Sequence, residues 1–161
     1  MRGEDGTGMT QPIVVGVSPS TGSPSALRWA ADEAELRGAP LRAVLAWRPP
    51  RAPAAPAGRP PGLGTGVAAD PATAATRDLH QHVDKALGAE RPVECVAVRG
   101  SAVHALLANA ADAQLLVVGE PRPGRLASVR AGLVAPQIVQ RARCPVVVLP
   151  TPSDGSPDVP Q

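Results

Sequence analysis

Short apolar runs alternate with stretches of helical period from residue 12 to residue 150. PIVVGV (12–17), LRAVLAW (41–47), VECVAV (93–98), QLLVVG (114–119) and PVVVLP (145–150) are brief and rich in valine and leucine. Such runs predict strands covered on both faces. After the first, Ser23-Pro24 offers an N-cap hydroxyl followed by proline at the first helical position. Leu27, Ala30 and Ala34 then share one helical face, and Gly38 supplies a stop. Ala72, Ala75, Leu79, Val83 and Ala86 repeat at helical spacing as far as Gly88. Gly100-Ser101 caps a helix with Val103, Leu106, Leu107 and Ala110 on its apolar side. A last helix is expected near residues 134–142, starting at Ala135 because Pro136 suits only a first turn.

Strand and helix alternating through five strands predict one α/β domain over residues 11–150, an open parallel sheet with helices on both faces. In such sheets ligands bind beyond the carboxyl ends of the strands, where the strand order reverses. The loops after the first strand (Ser18 onward) and the fourth (Gly119 onward) are the candidates. Residues 48–70 form a Pro- and Gly-rich loop. Its GLGTG fragment follows proline tracts rather than a strand, so it is not read as a dinucleotide fingerprint. Residues 1–10 and 151–161 are expected to be disordered tails.

Composition narrows the function. The 161 residues include no Phe or Tyr and only two tryptophans, Trp29 and Trp47. Aliphatic side chains must therefore build the core, and the aromatic platforms of single-strand nucleic acid readers are lacking. No groove-reading element for duplex DNA is found, so no nucleic acid partner is expected. The net charge is only +2, but Arg122, Arg125, Arg130, Arg141 and Arg143 crowd one stretch against the single acid Glu120. That surface can attract phosphate. No apolar run reaches the roughly 18 to 20 residues of a membrane span. The first residues, MRGEDGTGMTQP, have no apolar segment of the kind a secretory signal needs. No membrane association and a cytoplasmic location are the expectations.

Reactive groups are sparse. Cys95 and Cys144 have no CxxC or histidine spacing and read as reduced, buried thiols. His80 and His82 stand two apart on a predicted helix and His104 is alone, so no metal site is expected. Neither GxSxG nor GxxxxGK[ST] occurs, and the sole lysine is Lys85. Nothing nominates a nucleophile with its base.

Two separated segments, IVVGVSPSTGSPSALRWAADEAELRGAPLRAVLAW and LLVVGEPRPGRL…GLV…CPVVVLP, resemble the universal stress protein family in the right order. The resemblance covers roughly residues 11 to 150. It implies a Rossmann-like nucleotide-binding α/β fold with strand order 3-2-1-4-5 and four helices. It also implies a homodimer built along the fifth strand (145–150) and a role in stress survival or regulation, with a regulatory protein partner as an option.

ATP-binding members of that family share a G-x2-G-x9-G-[ST] loop and an Asp just after the first strand. Here Gly119 and Gly132 match, Arg122 replaces the second glycine, Leu133 replaces the hydroxyl residue and Ser18 replaces the Asp. Glycine in such a loop supplies φ > 0 and lets phosphate approach the backbone. Arg122 lies between Pro121 and Pro123, which extends the chain and removes two donors. Leu133 removes a hydrogen bond of a kind that contributes about 1.5 to 3 kcal/mol to a charged acceptor. Gly124 is the stand-in for the lost glycine, and Arg122, Arg125 and Arg130 offer side-chain contacts to phosphate instead. The positions open to a nucleotide are thus Ser18, Gly119, Arg122, Gly124, Arg125, Gly132, Leu133 and Val134. No cofactor is certain. The leading expectation is a non-catalytic cytoplasmic stress-response module with an impaired nucleotide crevice. The alternatives are an ATP-binding member with slow hydrolysis and a ligand-free dimerisation scaffold.

Overall fold

The computed structural model describes residues 10–19, 21, 23–49, 69–120 and 134–150. Both tails apart from Thr10, most of the 48–70 loop, and Arg122, Gly124, Arg125, Arg130, Gly132 and Leu133 lie outside the described residues. In chain order the elements are β1 (Ile13–Val17), α1 (Pro24–Arg37), β2 (Leu41–Trp47), α2 (Pro71–Leu87), β3 (Glu94–Arg99), α3 (Ala102–Asn109), β4 (Leu115–Gly119), α4 (Val134–Arg141) and β5 (Val146–Leu149). The strands form one parallel sheet in the order β3-β2-β1-β4-β5. Both the parallel sheet and its strand order match expectation.

The parity of each strand divides the apolar runs between two cores, because successive side chains point to opposite faces. Ile13, Val15 and Val17 of β1 pack with Leu115 and Val117 of β4 beneath α1 and α2. Val14, Leu116 and Val118 face the other way, beneath α3 and α4. α1 contributes Ala26, Ala30, Ala31 and Ala34, and only Leu27 is bulky among its buried residues. Such small side chains let the helix lie close to the sheet. Gly16 serves the opposite face in the same way. A Cβ there would lie 3.1 and 3.2 Å from the two methyls of Leu106, which α3 presses onto β1.

The helix ends follow the local chemistry, with one exception. Gly38 takes the left-handed conformation at φ 59, and the N–H of Ala39 reaches the Ala34 carbonyl at 2.8 Å. Ser101 Oγ accepts from the N–H of His104 at 3.2 Å. Asp70 caps α2 by accepting from the N–H of Thr73 at 3.3 Å, with Pro71 at the first helical position. Among the described residues α4 spans Val134–Arg141, inside the expected 134–142 range, with Pro136 within it. Ser23 is the exception. It stands at the N-cap position of α1 but lies in the left-handed region (φ 47, ψ 52), and its side chain caps nothing.

The cysteines also need correction. Both are free thiols, but each is half-buried rather than buried. Cys95 packs beneath α1 and α2, whereas Cys144 packs with the α3 and α4 core. They therefore belong to opposite faces of the sheet. None of the described helices is long and apolar enough to cross a membrane.

Candidate functional site

The order β3-β2-β1-β4-β5 puts β1 beside β4, and the sheet's winding changes direction between them. In a parallel sheet this is where the loops beyond the strands diverge and leave a crevice. Ser18 immediately follows β1, and Gly119 closes β4. These two predicted residues come together at the crevice.

The residue that joins them was read from the sequence only as a helix cap. Ser23 Oγ accepts a hydrogen bond from the backbone N–H of Ser18 at 3.2 Å. A Cβ at Gly119 would lie 3.7 Å from that same Oγ, 3.8 Å from Ser23 Cβ and 3.9 Å from Ala26 Cβ. The hydroxyl of Ser23 therefore sits between the ends of β1 and β4. Its own backbone N–H is held by Thr21 Oγ1 at 3.4 Å. No spacing rule pointed to this position, because the contact depends on a left-handed backbone at Ser23.

Gly119 is not one of the glycines at positive φ, which among the described residues are Gly38, Gly88 and Gly100. Of the two reasons for a glycine in a phosphate loop, turn geometry therefore does not apply at Gly119. Close approach of another group remains. The next N–H along the chain, that of Glu120, donates to the Leu149 carbonyl at 2.7 Å. That donor is used in extending the β4–β5 pairing. Val134 is half-buried and packs into the α3 and α4 core, so its side chain is committed to the fold.

A second helix secures the β1–α1 connection. His82 Nε2 lies 3.2 Å from the Pro19 carbonyl, so the imidazole donates from Nε2. His80 is exposed on the same helix. Among the described residues no group of His, Cys, Asp or Glu could hold a metal ion. Burial pushes the Cys95 thiol above its ordinary value, with the Asp84 charge adding to the effect. Burial also raises the Cys144 thiol. Neither is an activated thiolate.

The opposite end of the sheet holds a concavity of about 580 Å³, lined by Ala31, Ala34, Glu35, Leu41, Arg91 and Val93 among others. Leu41 and Glu94 start their strands, so this hollow lies at the amino end. Arg91 at its rim is already engaged, 3.3 Å from Glu35 and 3.7 Å from Asp32. The winding of the sheet, rather than the volume of a hollow, identifies the carboxyl-end crevice as the candidate site.

At the crevice the described groups include two serine hydroxyls, a glycine and the Glu120 carboxylate, and the backbone donors of Ser18 and Glu120 are both already used. Such a set can hold a small polar or anionic group by hydrogen bonds.

Comparison with known proteins agrees with the fold and the segment order. The model of the universal stress protein family matches residues 9–150. Universal stress protein Rv2623 of Mycobacterium tuberculosis is 35% identical over 139 residues, covering 85% of this chain and 46% of that protein. Universal stress protein Rv2624c of the same organism is 31% identical over 137 residues, covering 85% and 47%. The chain thus spans about half the length of the curated relatives it matches. A universal stress protein solved in complex with cAMP superposes with a TM-score of 0.57 at 25% identity, over 86% of this chain and 95% of its own. The universal stress protein UspA from Lactobacillus plantarum shares the fold, with a TM-score of 0.55 at 22% identity, over 86% and 97%. On the family match, the relatives and the shared topology together, this chain belongs to the universal stress protein family.

Proposed function

We propose that this chain is a non-catalytic, cytoplasmic stress-response module whose nucleotide crevice is impaired. The observation that carries the reading is the hydrogen bond from the Ser18 N–H to Ser23 Oγ. At the position where ATP-binding relatives are expected to carry an Asp, this chain has an uncharged serine, and its backbone donor is spent on a neighbouring hydroxyl. The replacements at Arg122 and Leu133 point the same way. The raised thiols of Cys95 and Cys144 support a non-catalytic role.

Equilibrium binding of ATP to the purified protein tests this reading, with Gly119→Ala as the control. A Cβ at Gly119 makes only ordinary van der Waals contacts, so the variant should fold normally while filling the approach to the crevice. Absent or millimolar ATP affinity is expected. Micromolar affinity that Gly119→Ala abolishes would overturn the proposal in favour of an ATP-binding member.

A second reading, of an adenine nucleotide with a single phosphate, is favoured by the relative solved with cAMP. A monophosphate requires fewer donors than a triphosphate, and the replacements at Arg122 and Leu133 remove donors. Assembly as a homodimer through β5 is part of the proposal. β5 lies at the sheet edge, and all four of its residues are only partly buried. An edge strand offers unpaired backbone groups to a second copy.

A further inference from the structure

The sheet has two edges, and β3 forms the one away from β5. Natural edge strands are usually blunted by lysine, proline, a bulge or short length. β3 has none of these. Its six residues, ECVAVR, pair with β2 in unbroken register from Arg42–Glu94 to Trp47–Arg99. Cys95, Val96, Ala97 and Val98 are only half-buried, so the helices on either face leave the edge accessible. The Gly100 N–H donates to the Trp47 carbonyl at 2.9 Å, which turns it toward β2. Backbone groups alternate in direction along a strand, so Cys95, Ala97 and Arg99 present theirs outward. The side chains of these three share the face of α1 and α2, where Cys95 and Ala97 pack.

Two charges on that face are unmatched. Arg99 is exposed at the end of β3, and Asp84 is exposed on α2, where its charge reaches Cys95. Among the described residues neither side chain forms an ion pair. Four residues of strand, about 13 Å, separate Cys95 from Arg99, so the two charges are held apart within one chain.

We propose that the β3 edge is a second self-association surface, where a copy of this chain adds its own β3 antiparallel, centred on Ala97. Parity fixes the register. Directly opposed residues of an antiparallel pair both face the partner or both face away. Opposing Ala97 to its symmetry mate sets Cys95 against the partner's Arg99 and uses all three outward residues of each copy. A shift in either direction leaves Arg99 or Cys95 beyond the partner's strand. Cross-strand neighbours point to the same face with Cβ atoms about 5 Å apart. The partner's Arg99 therefore arrives beside Cys95, within reach of Asp84, and two-fold symmetry makes the pair twice. Ala97, small and on the axis, lets the strands close. On the other face Val96 opposes the partner's Val98, a β-branched cross-strand pair. The two sheets become one continuous sheet. The surface is independent of the crevice and of the β5 edge, and use of both edges joins dimers into larger assemblies.

Sedimentation over a range of protein concentrations tests the surface, in the wild type and in Val148→Pro, which disables the outward edge of β5. Val139→Glu on α4 takes its place if Val148→Pro folds poorly. Exposed ion pairs are individually weak, so the β3 contact should appear only at higher concentration than the β5 one. Val148→Pro should then still dimerise. In that background Arg99→Asp and Asp84→Arg, both at exposed positions, should each weaken the dimer about tenfold or more. Combining the two exchanges the charges and should restore it. Circular dichroism checks that each variant is folded. A Val148→Pro protein that stays monomeric at every concentration overturns the inference and leaves the β5 edge standing. Single variants without effect, or a combined variant that fails to recover, overturn it as well. A wild-type dimer that Arg99→Asp dissolves and Val148→Pro leaves intact supports the β3 surface and overturns the β5 one.

Discussion

Arg42 on β2 stands directly opposite Glu94 on β3, and its Nε donates to the Glu94 carboxylate at 2.8 Å. The same guanidinium turns Nη1 to the Asn109 carbonyl at 2.9 Å and to Asp112 at 3.1 Å. One side chain thus ties β2 and β3 to the end of α3. The hydrogen bond to Glu94, with the charges of Glu94 and Asp112, holds the guanidinium in its charged form against the cost of burial. Both carboxylates are more than half exposed, so the charge pairing itself contributes little. The bond to Asn109 and the buried stem of the arginine carry more. Arg42→Ala is expected to lower unfolding stability by about 1 to 2 kcal/mol, measured by urea denaturation. Glu94→Gln should lower it by only a few tenths of that. Equal losses in the two variants would show that the charge pair dominates instead.

Gly16 and Leu106 form a close pair, and a methyl added at Gly16 would force the Leu106 side chain to shift by a few tenths of an ångström. Leu106 is buried among strand and helix side chains, so its methyls have little room to retreat from a Cβ at 3.1 Å. Gly16→Ala is expected to destabilise the protein by about 1 to 2 kcal/mol through overpacking. In a Leu106→Ala background the same change should cost less, because the truncated residue leaves space. A double-mutant cycle by thermal or urea unfolding reads the coupling, and additive effects would refute it.

The thiols predict a direction of pH dependence. Burial raises Cys95 in the folded state, and the Asp84 charge adds to it. The neutral thiol is therefore the form the fold prefers. Its contribution is fully present below the unfolded thiol's pKa and is lost as pH rises through the raised folded value. Stability should fall on the alkaline side, and Cys95→Ala should show a flatter decline there. Alkylation by iodoacetamide should likewise need a higher pH than for a free thiol. Rapid labelling at neutral pH would contradict this.

The outer edge of β5 should govern assembly. Alternate residues of a strand direct their backbone groups to opposite sides, and Pro145 and Leu149 use their carbonyls toward β4. Val146 and Val148 therefore direct theirs outward. Val148→Pro removes one outward N–H without removing any β4-facing donor. Sedimentation should show a dimer for the wild type and a shift toward monomer for this variant. Val139→Glu, at a 57% exposed position on α4, serves as a second variant if Val148→Pro folds poorly. A monomeric wild type, or a dimer unaffected by both variants, would exclude this edge as the interface.

The strand runs, the alternation and most caps were legible in the sequence because each depends on neighbours in the chain. Valine-rich runs bounded by Gly38, Gly88 and Gly100 give the same elements in almost any parallel α/β fold, and Ser101 caps α3 as its spacing predicts. The resemblance to relatives carried the strand order, which local pattern leaves open. Asp70 was missed as the cap of α2 because it closes a Pro-rich loop that gives no helical signal before Ala72.

What only the tertiary structure decided is where side chains from distant segments meet. Sequence placed Ser18 and Gly119 at two strand ends, but the pairing of β1 with β4 brings them together. Ser23 looked like an ordinary N-cap, since serine before proline at a helix start has that local preference. Its left-handed backbone carries the hydroxyl to Ser18 instead. Local propensity is worth about 1 kcal/mol at such a position, and a contact across the crevice is of similar size, so the sequence alone could not choose between them.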